Sequence, residues 1–87
     1  MDSDKFILLA KKAVIDYFES KREVTDTIEI DINNVYVVWL CKTLQNNKAL
    51  LSTTLFDGMY YEITHNGDKK EIYVDAYKKF ENKCIKY

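Results

Sequence analysis

Between Val35 and Val74 the chain carries three dipeptides, Asn46-Asn47, Asp57-Gly58 and Asn66-Gly67, each set between runs of alternating apolar and polar residues. Asn, Asp and Gly tolerate the positive φ angles of two-residue hairpin turns, so this spacing predicts an antiparallel β-meander. The residues between the turns are rich in Val, Ile, Tyr and Trp, which suit a pleated, half-buried surface. With two-residue loops throughout, opposing residue numbers sum to a constant, and both faces of the sheet can be written down.

That register gathers Val35, Val37, Trp39, Cys41, Leu50, Met59, Tyr61, Ile63, Ile72 and Val74 on one face, the expected core, joined by Ile28, Ile30, Ile32 and Phe56. The opposite face collects Tyr36, Val38, Leu40, Leu51, Leu55, Tyr60 and Tyr73 among Lys42, Thr53, Glu62, Thr64 and Glu71. An antiparallel sheet covered by helices on one side ordinarily turns a polar face to water. This second face is too apolar for that and reads as a surface that something covers. The same register sets Glu62 opposite Glu71, a like-charge pair that argues for slippage in the last hairpin.

Ahead of the meander, Phe6, Leu9, Ala10, Ala13, Val14, Tyr17 and Phe18 recur at three- and four-residue steps, which predicts a helix over Asp4 to Lys21. Asp2 or Ser3 can cap it, and Lys21-Arg22 complement the dipole at its end. Glu23 to Asp31 carries four acids and no base around Ile28 and Ile30, the pattern of an edge strand guarded by charge. After Asp75, a suitable N-cap, Tyr77, Phe80, Cys84 and Tyr87 step down one side of a predicted second helix, with Lys79, Lys83 and Lys86 opposite. The expected fold is therefore α+β: an N-terminal helix, an antiparallel meander of three to five strands and a C-terminal helix, an αβββα-like two-layer sandwich. With 87 residues, no proline and no repeat, the chain reads as a single domain, 1–87.

The chemistry-bearing residues are sparse. His65 is the only histidine and flanks a turn, where a surface position is expected. Asp57, Asp68 and Asp75 stand at turns or caps, and Gly58 and Gly67 are isolated, so no metal loop or phosphate cradle is expected. Cys41 and Cys84 lack CxxC spacing and read as reduced, packed thiols. No catalytic residue, cofactor or metal ligand is assigned, and the chain is expected not to be an enzyme. With a net charge of −1, the field of the whole molecule does not draw it to nucleic acid. The polar start and the short run Phe6 to Ala10 do not make a signal peptide, and no apolar run spans a bilayer, so a cytoplasmic protein without membrane contact is expected.

Two resemblances complete the reading. Helix, meander and helix in that order are similar in outline to the double-stranded RNA-binding domain, which opens its second helix with a lysine-rich motif; Asp75-Ala76-Tyr77-Lys78-Lys79 departs from it. Through Lys78, Lys79, Lys83 and Lys86, nucleic-acid contact stands as an alternative. The segments Val37-Val38-Trp39, Cys41 to Thr54, Asp57 to Glu62 and Asn66 to Lys69 resemble a family of small uncharacterised proteins encoded by phages and prophages of Gram-positive bacteria. That resemblance implies an accessory role inside the bacterial cell and brings no site residues with it. The expected function is thus a non-enzymatic phage protein that binds a host protein, such as an inhibitor of a bacterial defence or regulatory system, a CRISPR nuclease included. Tyr36, Val38, Leu40, Leu55, Tyr60 and Tyr73 would form the centre of its contact surface and Lys42 and Glu62 the rim. A homodimer through the same face is the other alternative.

Overall fold

The computed structural model describes residues 1–22, 28–44 and 46–87. Among them the chain forms α1 (Ser3–Lys21), a 3₁₀ turn (Ile32–Asn34) and four strands, β1 (Val35–Thr43), β2 (Asn46–Thr53), β3 (Met59–Asn66) and β4 (Glu71–Lys78). The strands lie antiparallel in the order β1-β2-β3-β4, so the expected meander is present. The Asp2 side chain caps α1 by accepting the Lys5 amide at 2.8 Å, and Asp4 and Lys21 complement the dipole at its two ends.

One stripe of α1 builds the core. Phe6, Ala10 and Val14 are fully buried on a layer made by Ile30, Val35, Ala49, Leu51, Tyr61 and Ile63. Ala10 and Ala49 are both small, which lets helix and sheet approach closely, and Tyr17 meets Tyr61 edge to face with ring centroids 5.8 Å apart.

One expected element is not formed, and a second is absent over its described residues. No helix follows Asp75: the chain stays in β4 to Lys78, and from Lys79 to Tyr87 it is exposed without regular secondary structure. Ile72, Val74 and Ala76 alternate toward α1 and pair with His65, Ile63 and Tyr61. This period of two satisfies backbone and side chains together, whereas a helix of about ten residues with no surface to pack on is marginal in water. The outline shared with the double-stranded RNA-binding domain goes with that helix.

The guarded edge strand is the second. Residues 23–27 lie outside the described residues, and Ile28 to Asp31 are not a strand. Ile30 instead enters the core, and Asp31 caps the 3₁₀ turn: its carboxylate accepts the Asn33 amide at 2.8 Å while the Asn34 side chain accepts the Asp31 amide at 2.9 Å.

All three loops differ from the expected ones. Thr43 pairs with Asn46, and Leu44 in the connection has φ 55°, so Asn46-Asn47 open β2 and do not form the turn. From Thr53 to Met59 the chain spends five residues, with Gly58 at φ 70° and the Asp57 carboxylate accepting the Met59 amide at 3.1 Å. The β3–β4 turn takes four residues, 67–70, organised by the Asn66 side chain, which accepts the Asp68 and Lys69 amides.

Candidate interaction surface

The observed register arranges the uncovered face of the sheet in rows across the strands. One row runs Tyr36, Ser52, Tyr60, Tyr77; the next Trp39, Leu50, Glu62, Asp75; a third Cys41, Lys48, Thr64, Tyr73. Tyr36, Trp39, Tyr73 and Tyr77 keep 47, 41, 49 and 53% of their surface exposed, far more than aromatic side chains with a covering layer retain. Trp39, Leu50, Tyr60 and Tyr77 share a depression of about 460 Å³ with Glu62, Lys78 and Lys79.

Charge on this face is sparse and mixed. Glu62 lies directly opposite Asp75, and Lys48 bridges Glu62 at 3.1 Å. Tyr73 donates its hydroxyl to Glu71, which holds the phenol pKa above its ordinary value of 10.0. The Ser52 hydroxyl donates to the Met59 carbonyl at 2.7 Å, which removes the one small polar group of the first row from competition for a ligand. The face therefore offers rigid aromatic area interrupted by two adjacent carboxylates.

Of the residues expected to make the contact surface, Tyr36, Tyr60, Glu62 and Tyr73 do share this face. Leu40 and Lys42 pair with Ala49 and Asn47 and so fall on the helix side, where both are exposed. Val38 has no partner on β2, and Leu55 packs half-buried against the core from the β2–β3 loop. The lysines do not line one side of a helix: Lys78 ends β4, and Lys79, Lys83 and Lys86 belong to the exposed tail.

Trp39, Cys41, Leu50, Asp75 and Tyr77 are face residues that the sequence pattern assigned elsewhere; Asp75 and Tyr77 were placed in the helix that is not formed, and two irregularities account for the other three. A β-bulge between Val37 and Trp39 switches the parity of β1, so Val35 and Val37 point to the core while Trp39 and Cys41 point away. The five-residue β2–β3 connection switches β2, placing Leu51 in the core and Leu50 outside. Cys41 and Cys84 are accordingly exposed free thiols, not packed ones.

His65 is buried on the helix side, its ring 6.2 Å from that of Phe6, and its Nδ1 lies 3.3 Å from the buried Asn47 Nδ2. His65 is thus an internal polar pairing in place of the surface residue expected beside the turn. A groove of about 740 Å³ passes it, with Leu9, Lys12 and Asp16 of α1 on one side and Lys70 and Ile72 on the other. Among the described residues no group of three His, Cys, Asp or Glu could hold a metal ion, and no helix is long and apolar enough to cross a membrane.

The fold is a small α+β domain: one helix seals one side of an antiparallel meander, and among the described residues no element covers the other side. The chain belongs to a family of unknown function, DUF6275, whose profile matches residues 7–87. No curated protein and no solved structure matches it.

Proposed function

We propose that this chain is a non-enzymatic binding protein that docks a protein partner on the open face of its sheet. The observation that carries this reading is the aromatic and apolar field made by Tyr36, Trp39, Leu50, Tyr60 and Tyr77, with Tyr73 beyond Glu62 and Asp75, which no element among the described residues covers. Aromatic side chains contribute large contact area at small entropic cost and dominate the energetics of protein interfaces. The adjacent carboxylates Glu62 and Asp75 in the middle of the field oppose a phosphate backbone laid across it, which favours a protein over a nucleic acid. The resemblance to phage and prophage proteins supports a cytoplasmic bacterial setting, and there the reading is occlusion of a host defence or regulatory protein, such as a CRISPR nuclease.

Capture from bacterial lysate on immobilised protein tests the reading, with a Trp39→Ala, Tyr77→Ala variant beside the parent chain. The parent should retain a discrete host protein that the variant loses while both give the same far-ultraviolet circular dichroism. Equal capture by the two folded proteins would refute the site. Binding of duplex DNA or RNA that falls steeply with salt would instead favour the lysines.

A further inference from the structure

The two edges of the sheet are built differently. β4 presents Glu71, Asp75 and Lys78, charges of the kind that keep an edge from pairing with another molecule. β1 reads Val-Tyr-Val-Val-Trp-Leu-Cys-Lys-Thr, and every residue from Val38 to Thr43 is exposed. Its protective devices are the bulge at Val38 and the one charge of Lys42, and among the described residues no strand pairs with the outer edge of Trp39–Thr43 beyond the bulge.

We propose that β1 pairs antiparallel with β1 of a second copy of this chain, about a two-fold axis at Cys41. In that register Cys41 faces Cys41 of the second copy, Trp39 faces Thr43, and Leu40 faces Lys42, so the two lysines are not opposed. An aromatic residue opposite a β-branched one is among the favourable cross-strand pairs. The same register carries Leu44, 89% exposed at the end of β1, to Val38, the unpaired residue of the bulge. A strand that satisfies its own reversed copy is what an isologous contact requires. Because one edge is open and the other is charged, assembly closes at two chains: the dimer is an eight-stranded sheet ending in two guarded β4 strands. The occupant is therefore a second copy and not an unrelated strand. This inference concerns the edge and stands apart from the docking role of the face.

Sedimentation from about 1 to about 100 µM tests it, because the dimer must grow with concentration by mass action. The wild-type chain should shift from monomer to dimer, and Leu40→Lys, which sets a lysine against Lys42 of the second copy, should remain monomeric with unchanged circular dichroism. A Cys84→Ser chain supplies the register without depending on that variant: mild oxidation should link it through Cys41, since directly opposed strand residues have Cα separations of about 4.5–5.5 Å, within the range a disulfide bridges. A monomer across the whole range overturns the proposal. So does a dimer that Cys41 does not link, which would place the contact elsewhere, the open face included.

Discussion

Leu50 and Leu51 are neighbours in β2 whose roles the register sets in opposition, and replacing each by Ala tests the whole sheet assignment. Leu51 is fully buried in the core beneath α1, opposite Val37 and Tyr61. Leu50 stands on the open face between Trp39 and Glu62 and is half-buried. Leu51→Ala withdraws three buried carbon groups, about 2.4 kcal/mol of transfer free energy at about 0.8 kcal/mol each. The cavity left under the helix brings the cost to about 3–4 kcal/mol. Leu50→Ala leaves no enclosed cavity and loses about half the transfer contribution, about 1 kcal/mol. A domain of this length is stabilised by about 4–13 kcal/mol, so the first variant forfeits a large share and the second little. Urea denaturation of both variants reads the difference directly, because at a common slope of about 1 kcal/mol per molar the midpoints should separate by about 2 M or more. Equal losses, or a larger loss for Leu50→Ala, would mean that β2 faces the other way and would refute the register.

Three further outcomes follow from particular contacts. Burial, and secondarily the nearby Asp57 and Tyr17, push the Tyr61 phenol above its ordinary value of 10.0. Its contribution to stability is therefore complete below pH 10 and is lost as pH rises from there through the folded value, so Tyr61→Phe should flatten the alkaline fall in urea midpoint. Asp75 opposes Glu62, and Asp75→Asn should stabilise the free protein by about 0.2–1 kcal/mol, measured by thermal melting at low salt; a loss would show that Asp75 has a favourable partner. Deleting Val38 removes the residue without a partner on β2 and should leave Trp39 opposite Leu50, so the variant should keep a cooperative melt; an unfolded product would show that the bulge is required by the core.

Much of this fold is legible in the sequence, and the departures have definite causes. The stripe Phe6, Ala10, Val14 is seen in the sequence because a helix reports its buried face at a fixed local period. The meander is seen because Asn, Asp and Gly mark where the chain turns, yet those residues do not fix how many positions each turn consumes. Strand parity depends on that number modulo two, so a five-residue loop reversed β2 while a four-residue loop left β3 and β4 correctly paired in facing. Tyr36, Tyr60 and Tyr73 were therefore assignable to the open face, and Leu51 was not. The bulge that turns Trp39 outward carries no Gly or other local signal, because its cause is the geometry of two strands and not the preference of one residue. The helix expected after Asp75 failed for a related reason: Tyr77, Phe80, Cys84 and Tyr87 satisfy a helical period, but Ile72, Val74 and Ala76 find partners on β3 first. His65 is internal because its partner Asn47, read as a turn residue, opens a strand beneath α1.

The open face and the open edge meet at Trp39, and that adjacency constrains how they can work together. Trp39 begins the second row of the face and also the regular run of β1 beyond the bulge. Pairing of two β1 strands would bring both aromatic fields into one surface, related by the two-fold axis and interrupted only where the strands join. Each field would keep Tyr60, Tyr73 and Tyr77 well away from the axis, on β3 and β4, so dimerisation does not consume the docking area. A target with two matching sites would then bind the dimer far more tightly than either face alone, through effective concentration and without any new contact. A target that reaches over Trp39 to the edge would instead compete with the second copy, and its affinity would fall as the protein is concentrated. The sign of that dependence separates a bivalent binder from a monomeric one, whichever host protein is the partner.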